Sequence, residues 1–324
     1  MHSNPARAWQ RARRCTLRAG RPPDVMAAVS RVACAGPVDI ELGKGVGYMM
    51  VSIVAFTLMN ALAKLALEHY PFGQLVFLRS GIALLPLLGI LAWQGNWAVL
   101  RQGPAGTLFW LSALVVGSML AGFWSYHLLP FADATFYSFI GPLIITALSA
   151  PMLGERIGRR RWVAVLLGFG GVVLITPPGQ GLLGMGVLVA LLSATLYSVG
   201  MVLTRRSSSL VHPTAVVFYF TLLATVVGAL WLPWGWMWPD AWGWAVMGGA
   251  GLAGCVGQYA QTQAFRMAPP SICGALSYSR IVLAVIIGYL VWWEVPTAIT
   301  LLGSAIVVAC GLYLIFHESR SRAR

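Results

Sequence analysis

From Gly45 onward the chain is a succession of ten apolar blocks, each close to the roughly 20 residues that an α-helix needs to cross hydrocarbon. They fall at about 45–67, 73–94, 105–129, 132–153, 160–177, 183–204, 213–235, 243–265, 270–292 and 297–316. Pro71, Gly103-Pro104, Pro130, Pro177-Pro178, Pro213, Pro239 and Pro269-Pro270 mark the breaks between them. Inside a bilayer each backbone polar group must be satisfied within the protein, which leaves helices or a closed barrel. The blocks lack the apolar/polar alternation of barrel strands, so helices are expected. Composition agrees: 10% of the residues are charged, against about 25% in soluble domains. The expected fold is an all-α integral membrane protein with ten transmembrane helices.

A net charge of +13 raises the possibility of nucleic acid as a partner, and the charge distribution excludes it. With the N-terminus in the cytoplasm, 19 of the 22 Lys and Arg fall in cytoplasmic segments. The opposite side holds Lys64 alone, and Arg79 and Arg280 lie inside helices. This bias predicts an even helix count with both termini cytoplasmic, in the cell inner membrane. Residues 1–44 hold eight basic residues and no apolar h-region, so they do not read as a secretory signal. They are expected to be a disordered cytoplasmic extension, with Met26 and Met49 as alternative starts. Residues 317–324 read as a basic cytoplasmic tail.

The chain also repeats itself. Tyr126–Glu155 aligns with Phe265–Glu294 at an offset of 139, so that Pro130 meets Pro269, Ser138 meets Ser277 and Glu155 meets Glu294. Val76-Phe77 meets Val217-Phe218 at an offset of 141. Five helices per copy is odd, so the second copy enters the membrane from the other side. The expected domains are two inverted five-helix repeats, 45–178 and 179–316, an architecture common among secondary transporters. Alternating access follows when two inverted halves exchange conformations.

Three stretches carry a family resemblance: Leu129-Pro130-Phe131-Ala132-Asp133-Ala134 to Leu153-Gly154-Glu155-Arg156-Ile157-Gly158, then Gly168–Val172, and Gln263-Ala264-Phe265 to Tyr289–Glu294 with Gly303. Together with Phe77-Leu78-Arg79 they resemble the EamA-type members of the drug/metabolite transporter superfamily, over about residues 45–316. The resemblance implies a ten-helix secondary transporter of small organic solutes. Arg280 departs from the family pattern, where that position is more usually uncharged.

Arg79 lies about 12 Å and Arg280 about 15 Å into their helices at 1.5 Å per residue. Both depths approach the middle of a core roughly 30 Å thick. A central arginine costs at least about 2.5 kcal/mol on insertion scales, and marks a functional site unless it is held structurally by backbone carbonyls or snorkels. The acids outside the N-terminal arm are Glu68, Asp133, Glu155, Asp240, Glu294 and Glu318, all expected at helix ends. Two arginines without a protein carboxylate suit a substrate that brings one, because the guanidinium fork binds carboxylate or phosphate in bidentate fashion. Arg79 aligns with Phe220 and Arg280 with Gly141, so scaffold symmetry requires neither.

Asn60, Tyr137, Ser138, Tyr197, Gln258, Gln261 and Tyr278 are candidates for reading substrate beside the arginines. Interhelical hydrogen bonding is the alternative role for each. Glu155, Glu294, Asp133 and His127 are candidates for gating or ion coupling, with a structural role as the alternative. Gly249, Ala253 and Gly257, and Gly117 with Ala121, form small-residue stripes for close helix packing.

The five cysteines form no CxxC or Cys/His cluster, so no metal site or disulfide framework is read. No Walker A motif occurs, and no cofactor is expected. The five scattered histidines supply no catalytic constellation for an enzyme acting on a lipid-linked substrate. The expected partners are the lipid bilayer and a small anionic or zwitterionic metabolite, amino-acid-like or opine/metallophore-like, moved by a monomer or homodimer. Export is expected on family grounds. Uptake of riboflavin or a nucleotide-like cofactor is the alternative.

Overall fold

The computed structural model of the chain describes residues 37–94, 97–101, 103–153, 158–175, 184–207, 211 and 213–322. The regular elements in them are all helical: α1 (Pro37–Leu67), α2 (Phe72–Gln94), α3 (Ala105–Leu128), α4a (Phe131–Ser138), α4b (Gly141–Leu153), α5 (Arg159–Ile175), α6 (Met185–Arg206), α7 (Pro213–Trp231), α8 (Ala241–Met267), α9a (Pro270–Ser277), α9b (Arg280–Trp292) and α10 (Ala298–Arg322). Among the described residues, eight stretches are long and apolar enough to cross a membrane. The other two blocks are α5, with 17 residues, and α8, whose second half carries Gln258, Gln261, Gln263 and Arg266. Helix α1 begins at Pro37 and α10 runs to Arg322, so helix extends past both expected limits. Residues 1–36 and Glu155 lie outside the described residues.

The connections alternate between two ends. At one end Lys64 reaches the carbonyl of Leu129, the backbone N–H of Phe131 donates to Glu294, and Tyr70 meets Asp240. At the other, Gly45 abuts Ala268, and the Tyr219 hydroxyl donates to the carbonyl of Leu100. The sequence reading of successive crossings requires this alternation.

The loops at the Lys64 end are pinned. Gln74, fully buried, donates to the carbonyl of Met237 and accepts from its N–H, at 2.7 and 3.0 Å. Asp240 caps α8 by accepting from Gly243 N–H at 2.7 Å, and it accepts from the Tyr70 hydroxyl at 2.7 Å. The Gly243 N–H, and then the Tyr70 hydroxyl, hold the Asp240 carboxyl below its ordinary range. The same bond pushes the Tyr70 phenol up.

The fourth and ninth blocks depart from the continuous helices expected of them. Each is broken into 8- and 13-residue pieces. The local arrangement is the same in both halves. Ser138 Oγ donates to the carbonyl of Thr135 at 2.7 Å, where the N–H of Phe139 would bond in a regular α-helix. That N–H turns instead to Phe136, three residues back. Ser277 Oγ donates to Gly274 at 2.6 Å, and the N–H of Tyr278 turns to Ala275. The breaks leave the N-termini of α4b and α9b in mid-block.

Close helix contacts follow the repeat. Helix α8 meets α1, with Gly254 against Met59 and Gly257 against the Phe56 ring. Its counterpart α3 meets α6 through Gly117 against Leu196, and through Ser118 and Ser193, whose hydroxyls each donate to the other's carbonyl at 3.0 and 2.8 Å. Phe139 and Tyr278, the residues at the two breaks, stack on each other with ring centroids 5.0 Å apart.

Candidate functional site

The two arginines converge on one stretch of α1. Arg79, on α2, donates from Nη1 to Met119 Sδ at 2.7 Å and from Nη2 to Met59 Sδ at 3.2 Å, and its guanidinium lies 5.0 Å from the centre of the Phe123 ring. Arg280, the first residue of α9b, lies 5.6 Å from the centre of the Phe56 ring. Phe56 and Met59 are three apart on α1, hence neighbours on one face. Tyr126 and Tyr197 stand within electrostatic reach of Arg280. Asn60, one turn from Phe56 on the same face, donates to the Tyr126 hydroxyl at 3.1 Å.

Thioethers are weak acceptors and aromatic faces are soft partners for a cation. Among the described residues neither guanidinium has a carboxylate within 4 Å, and the Nε of each is buried without a hydrogen-bond partner. Both side chains nevertheless keep accessible surface. These cations are held in place but not neutralised.

The remaining polar candidates divide. Asn60 and Tyr197 belong to this neighbourhood. Gln258 and Gln261 are half-buried on the face of α8 that carries Gly254 and Gly257, since positions 254, 257, 258 and 261 follow helical spacing. Ser138 has its hydroxyl committed to the α4 break. Tyr137 is fully buried in the core. Tyr278 stacks on Phe139, and its hydroxyl lies against Gly311 of α10. The Tyr278 ring thus packs between Phe139 and α10.

A second cluster lies at the end of α1. Lys64 Nζ is 2.6 Å from Glu294 Oε1, with the Lys64 side chain 10% and the Glu294 side chain 21% exposed. Lys64 also donates to the carbonyl of Leu129 at 3.4 Å and sits 4.7 Å from the centre of the Trp292 ring. Glu294 Oε2 accepts the N–H of Phe131, at the start of α4a, at 2.6 Å. Asp133, buried in α4a, is within electrostatic reach of both charges. His127 stays apart: it is exposed and makes an edge contact with Trp124. In the sequence Lys64 stands out only as the lone basic residue on the outer side. The available signal was that a lone cation at the end of the first helix had carboxylates at the ends of others to pair with.

The pattern that defines the EamA-like transporter family matches this chain twice, over residues 43–176 and 184–317. The chain is 32% identical over 279 residues to a protein named pseudopaline exporter CntI from Pseudomonas aeruginosa (strain UCBPP-PA14), covering 83% of this chain and 95% of that one. A riboflavin transporter of Rhizobium johnstonii is 28% identical, over 85% and 92% of the two chains. An S-adenosylmethionine uptake transporter of Rickettsia felis is 23% identical, over 86% and 95%. One solved structure superposes with a TM-score of 0.62 at 21% identity, covering 87% of this chain and 99% of that one, which shows the shared fold. A twice-matched family pattern, ten helical blocks and transporters as relatives agree with one another, and the chain belongs to the EamA-like transporter family, within the drug/metabolite transporter superfamily: it is a multi-pass membrane transporter of small molecules and not an enzyme.

Proposed function

We propose that this transporter exports a small anionic or zwitterionic organic metabolite, amino-acid-like or opine/metallophore-like, across the inner membrane, with both termini in the cytoplasm. One observation carries the reading: Arg79 and Arg280 meet neighbouring positions of α1 with no carboxylate partner among the described residues. A carboxylate from the substrate replaces thioether and ring contacts with charge-assisted hydrogen bonds, which are roughly twice as strong as neutral ones. The N-termini of α4b and α9b, freed in mid-block, add positive dipole ends of the kind transporters aim at anionic groups. Asn60, Tyr126 and Tyr197 read the remainder of the solute, and Gln258 and Gln261 extend the polar face of α8. Export accords with the relative named as an exporter.

Flux of labelled solutes into and out of proteoliposomes tests this. The reading expects movement of carboxylate-bearing solutes, and loss of it in Arg79→Gln and Arg280→Gln. An unchanged solute spectrum in both variants overturns it. The aromatic surroundings of the arginines, Phe56, Phe123 and Tyr126, together with a relative named as a riboflavin transporter, favour a flat-ring solute as the second reading. Riboflavin flux that persists in both arginine variants selects it.

A further inference from the structure

The Lys64–Glu294 pair joins the two halves of the molecule. Lys64 belongs to α1, while Leu129 and Phe131 close the α3–α4a turn, all in the first repeat; Glu294 follows α9b in the second. Two contacts from the first half, Lys64 Nζ and the Phe131 N–H, thus converge on the end of one second-half helix. The pair also sits directly over the arginine patch. On α1, Phe56, Asn60 and Lys64 succeed one another by four residues, which keeps them on one face. Lys64 lies about 12 Å along the helix from Phe56 at 1.5 Å per residue.

Symmetry separates this contact from the stack at the helix breaks. When inverted halves exchange conformations, a contact between counterpart residues maps onto itself and is present in both states. A contact between residues that are not counterparts maps onto a different pair, so symmetry does not require it in both states. Phe139 and Tyr278 are 139 apart, the repeat offset, so their stack persists. Lys64 and Glu294 are 230 apart and are not counterparts, so exchange of the halves does not carry their ion pair onto itself.

We infer that Lys64 and Glu294 form an ionic gate closing the mouth of the solute path at their end of the molecule, and that transport requires the pair to part. Trp292 is the lid over the cation: its ring faces Lys64, stacks on Phe131 with centroids 5.5 Å apart, and is tied to α1 by its indole N–H donating to Glu68. Asp133, beside the pair, is the carboxylate in reach of Lys64 once Glu294 leaves.

The test needs no solute. A reporter cysteine replaces Asn60, beneath the gate, in an otherwise cysteine-free protein. Its labelling by a membrane-impermeant maleimide is followed from each face of oriented vesicles. Labelling from the Lys64 face is expected to be slow in the parent, and about tenfold faster in Lys64→Gln and in Glu294→Gln. The Gln at 294 keeps an oxygen for the Phe131 N–H, so it removes the charge and leaves the helix contact. Spin labels at His69 and Val295, both exposed, give a second reading by dipolar spectroscopy. Two distance populations are expected, with the longer one enriched when the pair is neutralised. Unchanged labelling rates, or one distance unaffected by neutralisation, overturn the gate. Failure of Arg79→Gln and Arg280→Gln to alter flux overturns only the substrate reading, because neither gate measurement depends on a solute.

Discussion

Phe139 and Tyr278 stack with ring centroids 5.0 Å apart and planes tilted by 28°, and each is the other's counterpart in the repeat. The pseudo-twofold axis therefore passes between two aromatic rings. The Tyr278 hydroxyl beyond that stack is buried without a hydrogen-bond partner. Leaving such a group unsatisfied costs about 1–3 kcal/mol. Tyr278→Phe should raise the thermal midpoint in detergent and leave flux intact. A lowered midpoint would show that the hydroxyl has a partner in the working protein.

Two glycines should respond differently to the same methyl group. A Cβ at Gly228 would lie 2.5 Å from the backbone nitrogen of Phe77, and backbone cannot yield. A Cβ at Gly254 would lie 2.9 Å from Met59 Sδ and 3.6 Å from Arg79 Nη2, both ends of flexible side chains. Overpacking typically costs about 1–3 kcal/mol, and Gly228→Ala belongs at or above the top of that range. Gly254→Ala should keep most of the stability and lose flux, because it displaces the sulfur that holds the guanidinium. Thermal unfolding and proteoliposome flux, measured side by side, separate the two; equal stability losses would contradict the contrast.

The serines at the breaks can be tested through the helices they interrupt. In Ser138→Ala with Ser277→Ala the carbonyls of Thr135 and Gly274 are free to take regular backbone bonds. The doubly substituted protein should be as stable as the parent or more so, with slower solute exchange. Wild-type exchange rates would mean that the hydroxyls do not cause the breaks.

The Asp240 contact gives a signed pH dependence. Its carboxyl is held below the ordinary range in the folded protein, so its stabilisation is present above the unfolded carboxylate pKa and fades as pH falls through the folded value. Tyr70 is shifted upward, so its share is present below the ordinary phenol pKa and fades as pH rises through the folded value. Thermal midpoints of parent and Asp240→Ala should differ from about pH 5 to 9 and converge in more acid solution. A constant difference across that acid limb would remove Asp240 from the account.

The ten blocks, the 139-residue offset and the isolation of the two arginines were legible in sequence because they rest on hydropathy, identity and charge, which are local properties. The breaks at 139–140 and 278–279 were not. Shifting a backbone bond from the fourth residue back to the third leaves the apolar run unchanged, so Ser138 and Ser277 read only as polar residues in a hydrophobic helix. Lys64 and Glu294 were each visible as helix-end charges. Their pairing was not, because no local pattern joins residues 230 apart. Tyr278 was visible only as a polar residue in a hydrophobic helix, and its contact with Gly311 of α10 joins residues distant in sequence.

The arginines occupy positions where the opposite repeat holds Phe220 and Gly141, whereas the serines at the helix breaks, and the aromatic residues beside them, occur in both copies. After duplication, then, the residues proposed to contact cargo could diverge in one copy while the residues at the breaks stayed matched.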